Sequence, residues 1–197
     1  MAAAIPDYVF NRWWLHACRD GRLRPPVGLG QVVPGAAGSL DWVGLNYYCD
    51  DLVRFDWRRP RELFARQYPD PTLPKTTFGW AIEPDGLRRA LHLVATLSGL
   101  PVIITENGVA DAADELRPRF LVDHAVAVHG AIEEGVDVRG YMHWTSTDNF
   151  EWAEGYSQRF GLVAVDRTTL ERHPKPSLSV YARICRENGV PADLLAR

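Results

Sequence analysis

Apolar residues gather along this chain in three short runs, separated by stretches with a helical period. The runs are Asp41-Trp42-Val43-Gly44-Leu45-Asn46, Pro101-Val102-Ile103-Ile104-Thr105 and Val138-Arg139-Gly140-Tyr141-Met142-His143-Trp144. The middle run is β-branched and does not alternate, which is the pattern of a parallel strand covered on both faces. Residues 84–98 predict a helix with Leu87, Leu91 and Val94 on one face, Pro84 near its first turn and Gly99 as its stop. Residues 118–134 predict another, with Leu121, Ala125, Val128 and Ile132 on one face and Gly135 at its end. Further helices are expected at 8–18 and 177–187, and long loops at 21–38 (rich in Pro and Gly) and 50–77 (rich in Arg, Pro and Asp). Strands alternating with helices imply right-handed crossovers and a parallel sheet, so the class is α/β. One domain over 1–197 is the natural count. Its 197 residues fall short of the roughly 250 of a closed (β/α)₈ barrel.

Composition narrows the function. The 22 basic and 25 acidic side chains leave a formal charge of −3, so no basic excess points to nucleic acid. With 46% apolar residues the chain is not of the disordered class. No apolar run approaches the roughly 20 residues that span a bilayer, and no signal-peptide pattern is evident, so a cytoplasmic location and no membrane partner are expected. Cys18, Cys49 and Cys185 lie far apart, with no metal-ligand spacing, so free thiols are expected and no metal or other cofactor is implied. Seven tryptophans raise the odds of a site that stacks flat apolar faces such as sugar rings.

Each predicted strand ends in polar or aromatic groups: Asn46-Tyr47-Tyr48, then Glu106-Asn107, then Trp144 with Asp148-Asn149-Phe150-Glu151-Trp152 after it. In parallel α/β folds catalysis concentrates just past the carboxyl ends of strands. Taken singly, Glu106 is as well read as a surface acid, and Tyr47, Tyr48 and Trp144 as core. The repetition at three successive strand ends is what favours one converging pocket. A carboxylate placed like Glu106 suits nucleophilic attack on a sugar's anomeric carbon, with a second carboxyl group as acid/base about 5–5.5 Å away for retention or 6.5–9.5 Å for inversion. Glu151 is the nearest candidate by motif.

Ile103-Ile104-Thr105-Glu106-Asn107-Gly108 resembles the nucleophile signature of glycoside hydrolase family 1, the β-glucosidase family. Four more ordered segments resemble that family: 41–48 its sixth barrel strand, 78–87 a GWEIxPxGL segment, 141–166 its eighth strand and following loop, and 172–181 its closing helix. The resemblance implies a partial (β/α)₈ TIM barrel, its C-terminal portion with strands six to eight, and a retaining β-glycosidase chemistry. It implies that Glu106 is the nucleophile and that Tyr48 hydrogen-bonds and steadies it. Trp144 would be the platform under the glycone ring, Glu151 the acceptor for the sugar's outer hydroxyls, Trp152 a donor beside it, and Phe160 a pocket wall. Asn46 joins the substrate-binding set through the Asn-x-Tyr pattern. Glu151 is on this reading a binding acid rather than the general acid. The resemblance further implies a cis peptide between Trp144 and Thr145. His143, one residue before Trp144 on its strand, is expected on the helix-facing side.

The family's acid/base glutamate lies in a TxNEP motif, and no such motif occurs in these 197 residues. An arginine that flanks the nucleophile in the family is also absent, Thr145 stands where Ser is usual, and Val180 where Trp is usual. The expected substrate is a β-glucoside or related carbohydrate, and the expected partner an N-terminal half chain carrying the acid/base. Three readings stay open: one chain of a split enzyme, a truncated product without activity, and a carbohydrate-binding remnant. Retention of Glu106 beside the binding residues ranks the first two above the third.

Overall fold

A computed structural model of the protein describes residues 3–196. Its centre is a parallel sheet of β1 (Val43–Tyr47), β4 (Val102–Asn107) and β5 (Val138–His143), in the order β1-β4-β5. These are the three predicted runs, shifted by one or two residues at their ends. Two hairpins are additional: β2 (Asp51–Phe55) with β3 (Ala65–Pro69), and β6 (Val163–Val165) with β7 (Arg172–Pro174). The first corrects the expected loop over 50–77. Its strands leave Leu52, Phe55 and Tyr68 exposed, so they carry no alternation that a buried face would impose.

The helices fall near their predicted places. The expected helix at 8–18 is α1 (Ala4–Asp7), a π-helical turn (Tyr8–Arg12) and α2 (Trp13–Asp20), closed by Gly21 at φ 72°. Then come α3 (Pro84–Ser98), α4 (Arg117–Glu133), α5 (Pro176–Glu187) and the short α6 (Ala192–Leu195). Pro84 begins α3 and Gly99, at φ 70°, ends it in the left-handed cap that glycine adopts freely. The buried face of α4 differs from the predicted one. Phe120, Leu121, His124, Val128 and Ala131 are buried, while Ile132 is 43% exposed, because the stripe follows the surfaces α3 and α5 offer it rather than the apolar positions alone. Among the described residues no helix is long and apolar enough to cross a membrane.

The core lies between one side of the sheet and the helices. Val43 and Tyr47 of β1 and Val102 and Ile104 of β4 meet Leu15, Leu87, Leu91, Val94 and Val128. The other side carries Gly44, Asn46 and Met142, all exposed, with Ile103 and Thr105 half-buried. The β-branched run of β4 predicts burial on both faces, but among the described residues helices cover only one.

Buried histidines make this core sensitive to acid. His124 is fully buried and stacks on Phe120 with 3.8 Å between ring centroids. Burial lowers its pKa to about 4, and lowers that of His143 to about 3. Both values lie below the unfolded value of 6.5, so the unfolded chain binds more protons between pH 6.5 and about 4. Stability is therefore expected to fall as pH drops through that window, by on the order of 3 kcal/mol per histidine. Urea titrations at pH 7 and pH 4.5 check this, and the variant His124→Gln should show a shallower pH dependence.

Candidate active site

The parallel ladder is irregular where the site begins. Leu45 pairs with Ile104 but Asn46 pairs with Glu106, so Thr105 is an extra residue at the end of β4. A bulge of this kind turns the following side chain relative to the regular pleat. It sets Glu106 beside Asn46 on the side of the sheet away from the helices. There the Thr105 hydroxyl donates to the Asn46 side-chain oxygen at 2.7 Å.

Tyr48 follows β1 directly. Its hydroxyl donates to Glu106 Oε2 at 2.7 Å. Burial first, then that hydrogen bond and the negative charges of Glu106 and Glu151, push the Tyr48 hydroxyl well above the ordinary tyrosine range. Tyr48 therefore remains a proton donor towards Glu106 at any ordinary pH. Its ring is walled by Trp80, with centroids 5.4 Å apart, and by Phe160, edge-on at 6.2 Å. Phe160 is fully buried, and Phe78 packs tilted against Trp80 with ring centroids 4.3 Å apart. Phe78 and Trp80 have no role assigned from the sequence. The Phe78-Gly79-Trp80 motif was legible there, but nothing in it said which side chain the rings would touch.

Trp144 follows β5 directly, and its peptide bond to Thr145 is cis. The Trp144 amide donates to the Asn107 carbonyl at 2.9 Å, which ties the end of β5 to the end of β4. Gly108 permits that approach, since a Cβ there would lie 1.9 Å from the Trp144 carbonyl oxygen. His143, the preceding residue, faces α5 and lies 5.8 Å from the Tyr181 ring, as its alternation with Trp144 predicts.

The loop after β5 brings Glu151 back to Trp144. Glu151 Oε2 accepts from Asn149 Nδ2 at 2.7 Å and from the Trp144 indole at 3.4 Å. Asp148 anchors the loop: its carboxylate accepts from the Gly161 amide at 2.9 Å and from Lys175 Nζ at 3.0 Å. A Cβ at Gly161 would lie 2.2 Å from the Asp148 nitrogen, so glycine is required for this contact. Trp152 is not gathered into the site; it is 81% exposed. Tyr48, Glu106, Trp144, Glu151 and Phe160 thus adjoin three strand ends, with Asn46 at the rim and Trp152 outside. Among the described residues no group of three or more His, Cys, Asp or Glu is disposed to hold a metal ion. A separate open cavity of about 420 Å³, lined by Asp85, Arg88, Arg89, His92 and Glu134, involves none of these site residues.

Comparison with known proteins shows what the chain as a whole resembles. The chain is 43% identical over 164 residues to a beta-galactosidase of Sulfolobus acidocaldarius, a match covering 79% of this chain and 33% of that protein. It is 41% identical over 162 residues to beta-glucosidase A of Thermotoga maritima, covering 77% of this chain and 36% of that one. The solved structure of a beta-glycosidase from Pyrococcus horikoshii superposes with a TM-score of 0.90 at 39% identity, over 100% of this chain and 45% of its own. This chain spans about a third of the length of those two curated relatives. Its sheet and helices correspond to part of a (β/α)₈ barrel. The model of glycosyl hydrolase family 1 matches residues 32–190, and the chain belongs to that family.

Proposed function

We propose that this chain carries the nucleophile half of a retaining β-glycosidase site, with β-glucosides as the favoured substrate class. It supplies strands six to eight of the barrel. Strands one to five and the acid/base carboxyl group come from another segment, in the same polypeptide or in a partner chain. The observation that carries the reading is the hydrogen bond from Tyr48 to Glu106 at 2.7 Å, on the same side of the sheet as the Trp144 indole.

In this chemistry the Glu106 carboxylate attacks the anomeric carbon while the aglycone oxygen departs with a proton from the acid. A glycosyl ester on Glu106 results. Water, deprotonated by the same acid/base group, then displaces Glu106 and releases the sugar with its configuration retained. Tyr48 orients the attacking carboxylate. Trp144 offers an apolar face to the ring, and Glu151 accepts from the sugar's hydroxyls. Glu151 is a poor candidate for the acid, because its Oε2 is already engaged by Asn149 and Trp144. A carbohydrate-binding remnant would keep Trp144 and Glu151 but would have no use for a carboxylate held by a half-buried phenol.

The test is covalent labelling. A 2-deoxy-2-fluoro-β-glucoside with a dinitrophenyl leaving group needs little acid assistance, so the chain is expected to be esterified slowly at Glu106, read by mass spectrometry of its peptides. In Tyr48→Phe the labelling rate should fall about 10- to 100-fold, the equivalent of the roughly 1.5–3 kcal/mol of a hydrogen bond to a charged group. Label found on another carboxylate would overturn the assignment.

A further inference from the structure

The bulge at Thr105 creates a difficulty that the backbone ladder does not solve. The register slips between Leu45 and Asn46 on one side of β4, and between Ile104 and Asn107 on the other. A bulge disrupts the local ladder. Glu106 therefore sits at an irregular stretch of the central strand, in register with Asn46 of β1 but without a partner in β5, although a nucleophile must be held within a fraction of an ångström of its working position. Something other than the regular ladder has to fix it.

We propose that Asn107 is the positioning residue that does so, through a carboxamide clamp across all three strands. The Asn107 side chain is fully buried, on the helix-facing side of the sheet directly behind Glu106. Its Nδ2 donates to the Tyr47 carbonyl of β1 at 2.7 Å. Its Oδ1 accepts from the Tyr141 hydroxyl of β5 at 2.7 Å. Its own backbone carbonyl accepts from the Trp144 amide at 2.9 Å. Two bonds of the clamp end at or beside a residue of the site, since Tyr47 precedes Tyr48 and Trp144 is itself the platform, and Asn107 follows Glu106; the third reaches Tyr141, on the same strand as Trp144. Gly108 completes the device by admitting the Trp144 carbonyl where any Cβ would collide. The side-chain amide thus ties β4 to β1 and β5 behind Glu106, and the Asn107 backbone carbonyl ties it to Trp144.

The chemistry calls for an amide in particular. An aspartate would keep an acceptor for Tyr141 but lose the donor to Tyr47 and bury a charge. A leucine would fill the space and leave the Tyr47 carbonyl and Tyr141 hydroxyl unpaired. Tyr141 is anchored in turn from α5, where the Tyr181 hydroxyl donates to the Tyr141 carbonyl at 3.3 Å. The clamp is therefore braced from the helix layer.

This inference rests on the nucleophile reading of Glu106, so its test carries one readout that needs no catalysis. Asn107→Leu and the gentler Tyr141→Phe, which keeps the ring, are compared with the wild-type chain. The first readout is the ¹³Cζ chemical shift of labelled Tyr48 at neutral pH, which reports the hydrogen bond its hydroxyl donates to Glu106. Loosening the clamp should weaken the Tyr48–Glu106 hydrogen bond and move that shift towards the value found in Glu106→Ala, where the bond is absent. The second is labelling by the fluoroglucoside: the maximal rate should fall about tenfold or more, with the half-saturating concentration little changed. Should Asn107→Leu fail to fold, Tyr141→Phe decides alone. A lowered melting temperature with unchanged Tyr48 chemical shift and labelling rate would reduce Asn107 to a stabilising residue and overturn the proposal. A Tyr48 chemical shift that moves in the variants, while the wild-type chain itself takes no label, would support the clamp and overturn the nucleophile reading.

Discussion

Purified alone, the 197-residue chain is expected to leave cellobiose intact, and to gain hydrolysis only when a chain supplying strands one to five is added. The reason is the leaving group. A sugar alkoxide departs slowly without a proton, and positioned acid–base help is worth about 10²–10⁴-fold. The Asn-Glu-Pro sequence that carries the acid in the family does not occur here. In the reconstituted pair, Glu106→Gln should remove at least about 10⁴-fold of the restored rate, the order lost when a nucleophile is taken from groups that act as a unit. Glutamine keeps the size of the side chain and can still meet the Tyr48 hydroxyl through its amide oxygen, so folding should be little changed. Steady-state glucose release by the chain, the pair and the pair with Glu106→Gln is the measurement. Turnover by the chain alone, lost in Glu106→Gln, would show that a carboxyl group within these residues acts as the acid.

The strands of the central sheet were legible because they are continuous apolar runs, and α3 because Pro84, Gly99 and a clean apolar face agree. The place of Glu106 at the end of a strand was legible because it follows such a run directly. The bulge at Thr105 was not: a register shift arises between strands 59 residues apart, and nothing local in Thr-Glu-Asn marks it. The β2–β3 hairpin was hidden for another reason. Leu63 and Phe64, at φ 57° and 58°, take left-handed backbone at its turn where sequence reading looks for glycine or asparagine. The offset face of α4 shows the same limit, since periodicity finds an apolar stripe but not which half of it a neighbour will cover.

The least legible feature has the largest expected effect on stability. Arg117, at the start of α4, is fully buried and paired with Asp114. Its Nη2 donates to the carbonyls of Asp111 at 2.6 Å and Arg159 at 2.7 Å. Asp114 in turn accepts from the Ser177 amide at 2.8 Å and the Ser177 hydroxyl at 2.7 Å, at the first turn of α5. A carboxylate there also meets the positive end of the helix dipole. One buried ion pair thus joins the loop after β4, the loop after β5 and the start of α5. Asp114→Ala would strand the guanidinium without its counter-charge and leave the Ser177 amide unpaired. A loss of about 3–5 kcal/mol is expected, because an uncompensated buried charge costs far more than the intact pair contributes. For a chain of this size that lowers the melting temperature by on the order of 10 °C. The double variant Asp114→Ala/Arg117→Met should recover part of the loss, since it removes the stranded charge rather than adding an attraction. Asp114→Ala within about 0.5 kcal/mol of wild type in urea unfolding would show that water reaches Arg117 and that the network is not a closed one. The same substitution should slow labelling of Glu106 only modestly, because the Arg159 carbonyl held by Arg117 directly precedes Phe160, the wall against which Tyr48 packs edge-on.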